Sequence, residues 1–97
     1  MTHLTDAILE NAVRGIEHQT FDSHQVITSV MTSNPKEYVQ ELYANASSSD
    51  PIQQTHSTIG KTLHNLQGII PSRRVFSLNV RGQNTENQMW QKVSSIT

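Results

Sequence analysis

The chain has 97 residues, the length of one domain, with a formal net charge of −1 and an apolar fraction of 34%. It contains no cysteine, which excludes disulfide frameworks and thiolate zinc sites. No stretch reaches the ~20 apolar residues of a membrane span, and no signal peptide precedes the first helix, so we expect a cytoplasmic protein without a membrane partner.

The apolar fraction is low for a globular domain, where about 45–50% is usual on a count that includes Gly. Two interpretations follow from it. One face of the domain is a polar recognition surface, or the monomer is marginally stable and gains stability from a partner chain, such as a second copy in a homodimer. The two interpretations are compatible.

The charge is divided unevenly along the chain. Residues 1–50 carry seven acidic and two basic side chains, a net charge of −5, whereas residues 51–97 carry five basic and one acidic, a net charge of +4. Cations gathered in one segment favour an anionic partner, and nucleic acid is the most common one.

The first predicted helix covers residues 2–16. Leu4, Ile8, Ala12 and Ile16 recur at every fourth position, which is the spacing of one buried helix face. Gly15 and the polar residues after Ile16 indicate its end.

A second, short helix is predicted to begin at Asp22 or Ser23, either of which can serve as its N-cap, and to end near Thr32. Phe21, just before the cap, can pack back on the helix as a hydrophobic staple. The buried stripe consists of two apolar pairs four residues apart: Val26, Ile27, Val30 and Met31.

Two further helices begin with the same signal, a capping residue followed by proline. Asn34-Pro35 begins a helix over residues 35–46, and Asp50-Pro51 begins one over residues 51–66 that ends before Gly68. The second has the most regular apolar spacing in the chain. Its expected inward-facing residues are Ile52, His56, Ile59, Leu63 and Leu66. We expect His56 to be a hydrogen-bonded histidine in the core or at its boundary.

After the fourth helix the apolar period changes from that of a helix to that of a strand. Phe76, Leu78 and Val80 alternate with polar residues, which predicts a half-buried strand beginning near Arg74. A turn over residues 82–87 follows.

The returning strand is predicted over residues 88–93, with Trp90 in the core opposite Phe76 and Leu78. A frayed tail is expected over residues 94–97.

The predicted order is therefore α-α-α-α-β-β, a mainly α domain over residues 1–97 with a C-terminal β-hairpin (α+β). In element order and spacing this resembles the winged-helix variant of the helix-turn-helix DNA-binding family. The resemblance implies a winged-helix-like unit over residues 22–93. Within it, residues 35–46 would be the positioning helix, 51–66 the recognition helix and 75–93 the wing. An accessory helix over residues 2–17 would precede the unit.

The outward face of the helix over 51–66 carries no acidic side chain. Its candidate nucleic-acid contacts are Gln53, Gln54, Ser57, Thr58 and Lys61. Glutamine can pair bidentately with adenine, and lysine can reach guanine or a phosphate. An ordinary polar surface helix is the alternative, although such a face usually mixes Glu with Lys.

Four later cations complete the candidate interface: Arg73, Arg74, Arg81 and Lys92. Paired arginines before the first strand can hold phosphates, and Arg81 beside Gly82 in the turn can enter a minor groove. The alternative for Arg73 and Arg74 is solubility or pairing with the acidic half of the chain.

We expect a small protein that binds double-stranded DNA, with a regulatory or targeting role. The alternative is a protein-interaction or oligomerisation module. No nucleophile motif, phosphate-binding loop or metal-ligand spacing is present, so we expect no enzyme activity, cofactor, metal or small-molecule substrate.

Overall fold

A computed structural model describes residues 3–93, which form four helices and three strands. The helices are α1 (Asp6–Arg14), α2 (Ser23–Ser33), α3 (Pro35–Ala44) and α4 (Pro51–Leu63). The strands are β1 (Thr20–Asp22), β2 (Ile69–Leu78) and β3 (Asn84–Lys92). Two predicted features fall outside the described residues: the helix start at Thr2 and the tail over 94–97. Within the described residues, no helix is both long and apolar enough to cross a membrane.

The predicted mixed α+β class is confirmed, but the predicted element order is wrong because a strand lies between the first two helices. β1 pairs antiparallel with β3, with Phe21 opposite Trp90, and β2 pairs with the other edge of β3. The sheet order is therefore β1-β3-β2. β1 has only three residues, too few to show an alternation of apolar and polar side chains. It is a strand because its backbone pairs with β3.

The starts of the helices follow their capping residues. Asp22 caps α2, as predicted, and its carboxylate accepts from the Gln25 N–H while the Gln25 side chain accepts from the Asp22 N–H. Asp50 likewise accepts from the Gln53 N–H at the start of α4. The first helix begins later than predicted, because Thr5 is its cap.

α4 is shorter than predicted and its buried face is rotated. It ends at Leu63, and Gly68, in the following loop, has a φ of 90° that favours glycine. The buried residues of α4 are Thr55, Ile59 and Leu63. Ile52 and His56, predicted to face inward, are half-buried.

The core lies between the helices and the sheet. Trp90 is fully buried, which confirms its predicted place in the core, and Phe21 beside it is also fully buried. The other largest buried side chains are Leu4, Leu9, Val13, Val26, Val30, Thr55, Ile59 and Leu63.

The predicted burial of the first hairpin strand is wrong. Phe76 and Leu78 are 68% and 67% exposed, and Trp90 has Pro71 as its partner in β2. The outer half of the hairpin carries polar residues on the opposite face, where Ser77 contacts His24 of α2. The alternating pattern identified a strand but assigned its two faces the wrong way round.

Candidate nucleic-acid interface

A groove with a volume of about 500 Å³ lies between α4 and the hairpin. We call it the α4–hairpin groove. Three segments line it: α4 with Gln53, His56, Ser57, Gly60, Lys61 and His64 after its end; the hairpin with Arg74, Asn79, Gln83, Thr85, Glu86, Asn87 and Gln88; and the first turns of α2 with Ser23, His24 and Ile27. Most of these side chains are polar, so the groove suits a hydrogen-bonding partner.

Four predicted contact residues meet in this groove. Gln53, Ser57 and Lys61 lie on its α4 wall and Arg74 on its hairpin wall. The Gln53 Nε2 donates to the Ser57 Oγ over 3.1 Å, and Lys61 is exposed. Among the described residues that line the groove, Glu86 is the single acid, and it forms an ion pair of 3.5 Å with Arg74.

Two predicted α4 contacts lie outside the groove lining. Gln54 is exposed and Thr58 is half-buried. The Thr58 hydroxyl donates to the Gln54 carbonyl over 2.9 Å, so it has no further proton to donate to DNA.

Arg81 lies at the hairpin tip and reaches the N-cap of α4. Its two terminal nitrogens donate to the two carboxylate oxygens of Asp50 over 3.2 and 2.7 Å. The Arg81 hydrogen bond, and then that from the Gln53 N–H, lower the pKa of Asp50. The carboxylate in turn raises the pKa of Arg81. In the free protein this guanidinium is therefore partnered within the chain.

The five cations of the basic half do not form one continuous patch. Lys61 and Arg74 line the groove, and Arg81 is held at Asp50. Arg73 is exposed but outside the groove lining, and the Gln88 side chain donates to its carbonyl. Lys92 lies near the base of the hairpin, where its ammonium donates to the Ile16 carbonyl.

Two histidines at the groove are held by side-chain hydrogen bonds. His24 bonds through Nδ1 to the Ser77 Oγ over 2.8 Å and through Nε2 to the Thr85 Oγ1 over 3.2 Å. His56 bonds through Nε2 to the Tyr38 hydroxyl over 2.6 Å. Burial, followed by the charges of Arg81 and His24, lowers the pKa of His56.

A third histidine, His64, packs edge-on against Trp90 with ring centroids 4.8 Å apart. The spacing of His56 and His64, eight residues apart on one predicted helix, was a signal that both could lie on one side of it. No sequence signal placed His24 beside them, because its position depends on the hairpin that folds over α2.

Within the described residues, no group of three or more His, Cys, Asp or Glu side chains is arranged to hold a metal ion. No family model matches the chain, and no curated protein or solved structure matches it either.

Proposed function

We propose that this protein is a small DNA-binding module that contacts double-stranded DNA through α4 and the adjacent hairpin, in a regulatory or targeting role. The observation that carries the proposal is the convergence of Gln53, Ser57, Lys61 and Arg74 on the α4–hairpin groove. These residues come from two elements, and their chemistry suits both base edges and phosphates.

The shape of the two elements supports the same proposal. α4 has 13 residues, which gives a length of about 20 Å, and a helix of this kind fits the major groove of B-DNA. The exposed Gln53 amide can pair with an adenine edge, while Lys61 can reach guanine or a phosphate. The hairpin beside α4 then brings Arg74 and the tip residue Arg81 to the DNA backbone.

The salt dependence of binding tests this proposal. If Lys61, Arg73, Arg74 and Arg81 neutralise about four phosphates, the slope of log K against log salt is about −3.6. Lys61→Gln is expected to weaken binding and to make the slope shallower by about 0.9. Arg73→Ala combined with Arg74→Ala is expected to make it shallower by about 1.8.

Lys36→Gln is the matched control, because Lys36 is an exposed lysine of α3 outside the groove lining. It removes the same charge from the whole protein. Equal effects of the Lys61 and Lys36 variants on fluorescence anisotropy with a random-sequence duplex would show that only net charge matters. That result would remove Lys61 from the interface.

A protein-interaction or oligomerisation module is the second candidate, and the exposed apolar side chains of the hairpin favour it. Phe76 and Leu78 lie on one face of β2, an edge strand, and Val80 after it is 38% exposed. Exposed apolar residues on an edge strand are typical of pairing surfaces. Sedimentation without DNA tests this candidate: self-association that the double variant Phe76→Ser, Leu78→Ser abolishes supports it, whereas a monomer at all concentrations contradicts oligomerisation.

A further inference from the structure

We propose that the Arg81–Asp50 ion pair is an intramolecular latch. It occupies the Arg81 guanidinium in the free protein and is exchanged for a DNA phosphate on binding. This inference rests on the proposed function and adds a residue, Asp50, that competes with the DNA.

The geometry of the pair resembles the interaction it would be exchanged for. Two guanidinium nitrogens donate to two carboxylate oxygens over 3.2 and 2.7 Å, the paired arrangement that arginine also makes with phosphate. Asp50 uses two of the five guanidinium N–H donors, and its negative charge repels a phosphate from the same group. Asp50 therefore opposes the use of Arg81 on DNA.

The hairpin turn that presents Arg81 does not depend on the pair. The Asn79 Oδ1 accepts from the backbone N–H groups of Arg81 and Gln83, each over 2.9 Å. The Asn79 N–H donates to the Gln83 carbonyl, and Gly82 has a φ of 78°, which suits the turn. The side chain of Arg81 can leave Asp50 while the turn keeps its backbone hydrogen bonds.

The start of α4 is equally independent of the pair. Asp50 accepts from the Gln53 N–H over 3.2 Å, and its carbonyl accepts from the Gln54 N–H over 2.9 Å. These two bonds remain when Arg81 departs. The ion pair thus joins two elements that are each complete without it.

The exposure of the pair makes the exchange easy. The Arg81 and Asp50 side chains are 41% and 45% exposed, so water and salt screen their attraction. A DNA backbone presents several negative charges in a row and competes strongly with a single exposed carboxylate. The latch therefore lowers the affinity without preventing binding.

A double-mutant cycle tests the latch with four proteins: the wild type, Asp50→Asn, Arg81→Gln and the double variant. Asparagine caps a helix as well as aspartate does, so Asp50→Asn keeps α4 intact while it releases Arg81. We expect Asp50→Asn to tighten binding to a short random-sequence duplex about three- to fivefold. In the Arg81→Gln background, the same change is expected to alter the affinity less than about 1.5-fold.

The Arg81 Nη resonances in NMR spectra without DNA are the second measurement, and Asp50→Asn is expected to shift them because both Nη groups contact Asp50. If Asp50→Asn raises the DNA affinity equally in the wild-type and Arg81→Gln backgrounds, only a charge that repels DNA was removed. That result overturns the latch but not the proposed function. A loss of affinity means that the pair braces the interface and also overturns the latch. Failure of all four proteins to bind the duplex overturns the proposed function itself, whatever the NMR signal shows.

Discussion

A hydrogen bond between two buried side chains fixes the position of α2 relative to β3. Trp90 is fully buried, and its Nε1–H donates to the Ser23 Oγ over 2.9 Å. Ser23 is the first residue of α2, so this bond fixes the start of the helix against the central strand. His64, directly after the end of α4, makes a T-shaped contact with the same indole ring.

Ser23→Ala should therefore destabilise the protein by about 1–2 kcal/mol, because it leaves the indole N–H buried without an acceptor. Urea unfolding followed by the fluorescence of Trp90, the single tryptophan of the chain, measures the change. Ser33→Ala, at an exposed position at the end of the same helix, serves as the control. Equal midpoints for the two variants would contradict the importance of the Trp90–Ser23 bond.

His56 makes the stability depend on pH. Its pKa in the folded state lies below the ordinary value of 6.5, first because of burial and then because of the charges of Arg81 and His24, which outweigh Asp50. Below pH 6.5 the His56 imidazole is protonated in the unfolded chain but stays neutral in the folded protein until the pH reaches its lower folded-state pKa. The contribution of His56 to stability is thus complete above pH 6.5 and decreases as the pH falls towards its folded-state pKa.

Urea midpoints at pH 8 and pH 5 test this dependence. We expect the wild type to lose more stability between these pH values than His56→Gln, whose amide can still form a hydrogen bond with the Tyr38 hydroxyl. The remaining histidines are common to both proteins. An identical pH dependence in the two would show that His56 does not contribute.

At the scale of the element, helices were the most predictable part of this chain. The Asn34-Pro35 and Asp50-Pro51 pairs located two helix starts, because these signals act within one turn and need no tertiary contact. Asp50 caps its helix through its side chain, whereas the Asn34 side chain makes no capping bond and proline at the first helical position is the local signal there. The strands were less predictable. β1 exists only through its pairing with β3, and the exposed faces of Phe76 and Leu78 depend on where the hairpin lies over α2.

The capping box of α2 supports the junction between β1 and α2. Asp22→Ala removes the acceptor for the Gln25 N–H and should cost about 1–2 kcal/mol of unfolding free energy. Asp22→Asn keeps an acceptor and should cost less. Chemical denaturation compares the two variants, and equal losses would show that the carboxylate has a role other than capping.

At the scale of the whole molecule, the acidic and basic halves of the sequence do not form two separate charged surfaces. Arg81 of the basic half, for example, pairs with Asp50 of the acidic half. Lys92 and Arg73 are absent from the groove lining: Lys92 pairs with Ile69 at the base of the hairpin, and Arg73 lies in the irregular part of β2 between Pro71 and Arg74. Sequence patterns predicted five contact residues on α4 from helix geometry alone: Gln53, Gln54, Ser57, Thr58 and Lys61. Three of them line the groove, and Gln54 and Thr58 do not. The opposite wall, with Arg74 and His24, depends on the tertiary fold.

Besides Asp22, a second acidic residue of the first half is buried in the fold. Glu41 of α3 is 4% exposed, and its Oε1 accepts from the N–H groups of His3 and Leu4 over 2.9 and 3.0 Å. It thereby holds the segment before α1, with the buried Leu4, against α3. Glu41→Ala should cost about 1.5–3 kcal/mol, as expected for hydrogen bonds to a charged group.

Glu41→Gln is the matched variant, because its amide oxygen can accept the same two bonds and should retain part of the stability. Hydrogen exchange at the Leu4 amide reports on the same contact. Unchanged exchange at Leu4 in Glu41→Ala would show that the segment is held by other contacts.

The pairing of β1 with β3 also determines when the chain can fold during synthesis. Phe21 and Trp90 are opposite each other in the sheet although they are far apart in sequence. A ribosome must therefore translate past Trp90 before the emerging polypeptide can complete its core. Until then α2 exposes the apolar face that the last strand covers, so the helices alone cannot form the complete core.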